Sequence, residues 1–292
     1  MPIAVGVIDL DAVTRAAGCF APLPASSTRL ATLVAHDSPD LAQIVEIVRY
    51  DQALTAALLR RANSSWSAAR TEITTVRDAV VRLGAGPVVA LALGVNVRAR
   101  LSGAIPSYGL AEGELWDHAV AATLAAEALM RVTERRLPAE TPTAALLHDV
   151  GKLVMARFVD ADDLARIDAA LDRGATRMQA ETDILGIDHA QLGGQIARAW
   201  ELPESLIAGI AGHHAPGDHG DAGDGGDGIG LIGCGVHLAD VVAKAVGAGP
   251  DDNAELEQFA RAMGELGISA DAYDDVCRFV AERFTEVAGR FA

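Results

Sequence analysis

The chain has 292 residues, 50% of them hydrophobic, enough to build a sizeable core and to leave room for two helical units. A formal net charge of -16 and a sequence pI of about 4.8 leave no basic surface to draw nucleic-acid phosphates or an anionic membrane, so direct nucleic-acid binding and membrane binding are not expected. The cysteines, Cys19, Cys234 and Cys277, stand far apart without CxxC spacing, which fits free thiols in a reducing, cytoplasmic compartment.

Residues 1–22 read as an N-terminal extension. Asp9 and Asp11 follow its apolar residues, no basic leader precedes them, and no uncharged apolar run reaches the roughly 20 residues of a membrane span. Neither a signal peptide nor an anchor is expected. Beyond this point alanine and leucine dominate, aromatics make up only 4%, and few stretches alternate apolar with polar residues as a half-buried strand would. The fold class is therefore all-α, with any strand short and near the N-terminus.

Residues 23–101 form a first helical subdomain. The stretch SPDLAQIVEIVRYDQALTAALLRRANSS predicts two helices, the first capped by Ser38 with Pro39 in its first turn, the second running from about Asp51 to Asn63. VRDAVVRLGAGPVVALALGVNVRARL predicts a helix, a glycine-containing turn and a second helix reaching about residue 101. SGAIPSYG, residues 102–109, reads as the hinge into a second subdomain, which spans 102–246. A tail over 251–292, rich in acidic residues, adds two or three helices. GDHGDAGDGGDG, residues 217–228, reads as a solvated flexible loop. Its Asp221, Asp224 and Asp227 recur every third residue, which is the wrong spacing for an EF-hand calcium loop.

The histidines carry the chemical signal. In ELWDHAVAATLAAEALM, the helical face Leu115, His118, Ala122, Ala125, Leu129 sets His118 in an apolar stripe, either as a satisfied core residue or as a ligand. His148 and Asp149 end the buried-looking helix ALLHDV, where a carboxylate is costly unless a cation or metal pairs with it. His213 and His214 follow the helix opened by Pro203, a place where the helix dipole alone could account for them. Asp240 interrupts the apolar helix GVHLADVVAKAV, with His237 three residues earlier on a neighbouring face. Imidazoles and carboxylates from several separate helices suit a transition-metal centre in a bundle core. Adjacent His148 and Asp149 point about 100° apart on a helix, so one carboxylate could reach two metals while its neighbour binds one.

The order His118, His148-Asp149 with Gly151-Lys152, His189, His213-His214, Asp240 resembles the HD superfamily of metal-dependent phosphohydrolases, with the ligands of its two-metal HD-GYP branch. The layout, from LPASSTRLATLV through VRYDQALTAALLRRANSSW and ITTVRDAVVRLGAGPVVALAL to HLADVVAKAV, is similar to the HDOD family, the HD-related output domain of bacterial signalling proteins. The resemblance implies a first metal bound by His118, His148, Asp149 and Asp240, and a second bound by His189, His213 and His214, with Asp149 reaching both. It implies divalent iron, manganese or zinc, and assigns Asp149 and Lys152 to any catalysis, with Lys152 facing a substrate phosphate; read alone, Lys152 could as well be a solvated helix-end side chain. The paired histidines are followed by APGDHGDAGDGGDG, without the glutamate and GYP loop of an HD-GYP phosphodiesterase, so recognition of cyclic di-GMP is not implied.

The functional expectation is a signal-transduction protein binding a nucleotide or phosphorylated ligand and acting on a separate protein partner. The alternatives are a metal-dependent phosphohydrolase and, more remotely, a di-iron oxygenase. His36 and His219 match no family position and are expected to face solvent, while His237 is the one substitute ligand. Asn63 is assigned no chemistry beyond ending its helix.

Overall fold

The computed structural model describes residues 23–35, 40–64, 72–216, 227–249 and 256–291, together with Ala12, Arg15 and Ala16. Within them the chain is helical, with no strand and only an isolated bridge between Ile105 and Leu110. The first helices are α1 (Ala25–Val34), α2 (Leu41–Arg49), α3 (Gln52–Ala62), α4 (Val76–Leu83) and α5 (Ala85–Leu101). A 3-10 turn, Pro106–Tyr108, leads to α6 (Glu114–Val132), α7 (Thr141–Leu147), α8 (Gly151–Met155), α9 (Ala161–Asp172) and α10 (Arg177–Leu185). The rest are α11 (His189–Ala199), α12 (Glu204–Ala211), α13 (Asp227–Ala245), α14 (Leu256–Leu266) and α15 (Ala270–Phe291).

Side-chain capping accounts for several of the starts. Asp51, Thr75 and Asp188 each accept from a backbone amide three residues on, opening α3, α4 and α11, and Thr176 forms a capping box with Gln179 at α10. One expected start is corrected: α2 is capped by Asp40, whose Oδ1 accepts from the Ala42 amide at 2.9 Å, and not by Ser38, which lies outside the described residues. Asn63 does end α3, and it also staples the chain by donating to Leu59 O and Ile73 O and accepting from the Ile73 amide. The turn between α4 and α5 is made by Gly84 at φ 83°, a left-handed conformation that glycine adopts freely.

Helix α5 is apolar nearly all round because it is covered on more than one side. It packs against α1, α3 and α4 within the N-terminal bundle and against α7 beyond it, burying Val88, Val89, Leu93, Val97 and Leu101. The second bundle is centred on α6 and α13, which lie along each other, with α7 and α15 also against α6. Helix α12 touches α7, α11 and α13, and α8 packs on α11. These contacts bring the ends of α7, α11 and α12 toward the first turns of α6 and the later turns of α13.

Of the Gly/Asp segment read as a loop over 217–228, the last two residues belong instead to α13, which begins at Asp227; residues 217–226 lie outside the described residues. His36, Cys19 and His219, with most of the N-terminal extension, lie outside them too. Among the described residues, no single helix is long and apolar enough to cross a membrane.

Candidate metal centre

Five elements each aim a side chain at one point. His118 comes from the first turns of α6, His148 and Asp149 from the break between α7 and α8, His189 from the start of α11, His213 and His214 from the turn after α12, and Asp240 from α13. All are buried except His214, which is half-buried. The expected ligand positions are thus brought together without exception.

The rings are held from behind. His148 Nδ1 lies 2.7 Å from Ala145 O and His213 Nδ1 lies 2.7 Å from Ile210 O, while His118 Nδ1 is against Ala248 O. A carbonyl oxygen can only accept, so each of these Nδ1 atoms carries the ring hydrogen and each Nε2 turns a lone pair inward. His189 is fixed likewise, its Nδ1 2.7 Å from Glu181 Oε2 and its backbone amide donating to the same oxygen at 2.8 Å. Such outer partners set the tautomer and orientation of metal-binding histidines.

The inward atoms form two groups around Asp149. His118 Nε2 and His148 Nε2 are 3.1 Å apart. Asp149 Oδ2 is 3.5 and 3.3 Å from these nitrogens, and Asp240 Oδ1 is 3.1 and 3.7 Å from them. On the other side, Asp149 Oδ1 is 3.4 Å from His189 Nε2, which is 3.1 Å from His214 Nε2, and His213 completes a three-histidine group. The carboxylate of Asp149 therefore faces both groups, one oxygen to each.

Charge follows from this crowding. Burial works against ionising Asp149, yet His148 and Lys152 overcome it and hold the carboxyl well below its usual range. Asp240 is also held well below, burial being outweighed by Lys244 and His118. Burial opposes a charge on His148, but Asp149 and Asp240 prevail and raise its pKa. His213 is pushed well below its ordinary value by burial and by its neighbours His214, His148 and His189. Glu181 is lowered to about 2, burial being overcome by His189.

Donors about 2.0–2.2 Å from one divalent ion stand roughly 3–3.5 Å from each other, close to the spacings found. The lone pairs of His118 and His148 cannot face each other at 3.1 Å without a cation or an added proton between them. His213 Nε2 and Asp149 Oδ1, both buried, have no hydrogen-bond partner among the described residues. On donor type, spacing and unmet hydrogen-bonding capacity, the two groups are possible binding sites for divalent transition metal.

Lys152 is buried rather than solvated. Its Nζ donates to Asp149 Oδ2 at 2.7 Å and lies 5.5 Å from the centre of the Tyr108 ring. His237, read as a substitute ligand, joins neither group; its Nδ1 donates to His213 O at 2.8 Å and braces the turn that carries the histidine pair. Sequence reasoning missed Lys244, whose Nζ is 3.0 Å from Asp240 Oδ2; its i,i+4 spacing on an apolar helix was the available signal. It also missed Glu181, fully buried and bonded to His189, Tyr108 and Arg177, for which no local motif exists.

Fold and site define an all-α protein of HD type with a histidine–aspartate cluster able to hold metal. A family model described as the HDOD domain matches residues 20–216, more than half of the chain, and the chain belongs to the HDOD family. An uncharacterized protein of Treponema pallidum (strain Nichols) is 24% identical over 193 residues, 66% of this chain; the chain spans about 37% of that protein's length. A crystal structure of an HDOD domain protein with unknown function from Geobacter sulfurreducens has a TM-score of 0.67 at 21% identity, covering 96% of this chain and 97% of that one. A protein of Shewanella amazonensis SB2B, provisionally named a phosphohydrolase, has a TM-score of 0.62 at 25% identity over 93% of this chain and 94% of its own. A provisionally named signal transduction protein from Marinobacter aquaeolei VT8 has a TM-score of 0.63 at 23% identity, with 99% of this chain covering 65% of that one.

Proposed function

We propose that this chain is a signal-transduction protein of HDOD type whose core holds two divalent transition-metal ions and, with them, a nucleotide or another phosphorylated ligand. The observation that supports the reading best is the inward-facing donor shell, with Asp149 presenting one oxygen to each group. His118, His148, Asp149 and Asp240 would hold one ion and His189, His213 and His214 the other. Iron, manganese and zinc all suit imidazole and carboxylate donors. Bound there, such ions would supply Lewis-acid attraction for phosphate oxygens.

The chain's own residues supply orientation and charge. Lys152 keeps Asp149 ionised through Oδ2, the oxygen that also faces His118 and His148, at 2.7 Å, and Lys244 keeps Asp240 ionised through Oδ2, the oxygen not paired with those histidines, at 3.0 Å. The Ala248, Ala145 and Ile210 carbonyls and the Glu181 carboxylate hold the rings so that no rotation is needed when an ion is bound. Burial of the shell keeps bulk water from competing for it.

Hydrolysis of a nucleotide or phosphate ester is the second reading, favoured by the completeness of the ligand set. Against it, Lys152 spends its ammonium on Asp149 in this geometry, which makes it a positioning residue for the carboxylate.

Elemental mass spectrometry of wild type and Asp149→Ala tests the centre. About two equivalents of metal, lost in the variant while helical circular dichroism is retained, are expected. Unchanged metal content in Asp149→Ala would overturn the assignment. Loaded wild-type protein incubated with nucleotides and phosphate esters then separates the readings: bound ligand recovered intact supports the regulatory one, and phosphate release abolished in Asp149→Ala replaces it with the hydrolase.

A further inference from the structure

A second concave site lies away from the histidines, between the hinge segment after α5 and the far end of α8. It is a cleft of about 470 Å³, a size that takes a small organic ligand. Its lining includes Arg100, Ser107, Arg157, Ile105, Pro106 and Leu153, none of which belongs to the metal-ligand shell.

We propose that this cleft binds a small phosphorylated molecule with an apolar body, at a site separate from the metal centre. Two guanidinium groups line one cleft in a chain whose net charge is -16, and guanidinium is the side chain best matched to phosphate oxygens. Arg100 is half-buried and its guanidinium lies 5.6 Å from the centre of the Trp200 ring. Its planar fork can pair with two phosphate oxygens at once. Ser107 Oγ is buried in the wall and makes no hydrogen bond among the described residues, although buried hydroxyls are nearly always paired. Ile105, Pro106 and Leu153 give the opposite character, an apolar surface for the body of a ligand.

The cleft also backs onto the centre. Arg177 donates to Ser107 O at 2.6 Å and to Glu181 Oε1 at 3.1 Å, and the Tyr108 hydroxyl donates to Glu181 at 2.7 Å. Glu181 in turn holds His189. On the other wall Leu153 follows Lys152, the partner of Asp149. A ligand in the cleft thus presses on the supports of both metal groups without touching a ligand atom.

Isothermal titration of the metal-free full-length chain with pyrophosphate and, separately, adenosine monophosphate tests the site, because phosphate cannot then be drawn by bound metal. At least one probe is expected to bind at about one per chain, more weakly as salt is raised. Arg157→Gln and Arg100→Gln are each expected to weaken that binding roughly tenfold, the loss of one charge-assisted hydrogen bond. Arg157 is exposed, so its variant keeps the fold and decides the matter if Arg100→Gln is unstable. No binding of either probe to metal-free protein, or affinity unchanged in Arg157→Gln, would overturn the proposal. Binding seen only after metal is added would also overturn it, while leaving the metal-centre reading in place.

Discussion

Gly151 stands where α8 crosses α11, and a Cβ there would run into His189 O and lie 2.7 Å from the Gly193 amide. Gly193, opposite, is less confined: its own Cβ would lie 3.0 Å from Ile210 Cγ2 on α12 and 3.5 Å from the Gly151 amide. This crossing of two glycines lets the Asp149 end of α8 approach His189, and so brings the two donor groups to one carboxylate. Gly151→Ala is expected to force the helices apart, at about 1–3 kcal/mol of overpacking, and to weaken metal binding by His189. Gly264→Ala, in α14 with nothing near its Cβ, is expected to be neutral or to stabilise by up to about 1 kcal/mol. Thermal melts and metal titrations of the pair decide it; wild-type stability and affinity in Gly151→Ala would refute the crossing as the determinant. The glycine was legible in the motif HDVGK, but its reason was not, because the obstructing atoms belong to a helix some forty residues on.

Between elements, one tie from the N-terminal bundle to α6, beside the packing of α5, is an ion pair: Arg61 on α3 donates to Glu127 on α6 at 2.8 Å. Burial raises the Glu127 pKa, and Arg61 and Arg131 offset only part of that rise. A carboxyl whose folded pKa is raised contributes stability below its unfolded pKa of about 4.5, and that contribution is lost as pH rises through the folded value. At neutral pH the ionised Glu127 is therefore a cost that Arg61 limits. Arg61→Met is expected to destabilise by roughly 3 kcal/mol at pH 7, toward the lower end for a broken buried pair since Arg131 remains near. The deficit should shrink as pH falls from neutral into the acid range, because the raised carboxyl then takes up its proton early, and urea unfolding followed across that range measures it. A deficit independent of pH would mean that lost packing, and not the stranded carboxylate, is responsible.

Element boundaries were readable where the cap is local, as at Asp51 and Asn63 around α3 or the glycine turn before α5. They were not readable where neighbours compete for one role: Ser38 and Asp40 are both good caps, and the choice falls to the one whose carboxylate meets the Ala42 amide. Glu181 shows the same limit for the site. On sequence it is an ordinary helical glutamate, and only the fold delivers the His189 amide, the Tyr108 hydroxyl and Arg177 to it.

Across the whole molecule, the donors span residues 118 to 240 and are carried by α6, the α7–α8 break, α11, the turn after α12, and α13. His148-Asp149 and Asp240 stood out on sequence because a carboxylate in an apolar helix demands a partner, while the ligand set as a whole was implied by the resemblance to the HD superfamily. The supports divide by range: Ala145 and Ile210 lie three residues before the rings they hold, whereas Ala248 reaches His118 from 130 residues away. An ion bound at such a crossing stabilises only the assembled arrangement, since the unfolded chain has no preformed site. At a free concentration about 100 times its dissociation constant, one ion stabilises by roughly 2.7 kcal/mol, which in a chain of this size raises Tm by roughly 4–5 °C. Protein stripped with a chelator is therefore expected to melt that much lower than protein reloaded with manganese, zinc or ferrous iron, the difference vanishing in Asp149→Ala. A reloaded protein that melts with its stripped form, in the presence of any of these ions, would show that the shell is held together by protons alone, with His148 carrying the charge that Asp149 and Asp240 favour on it.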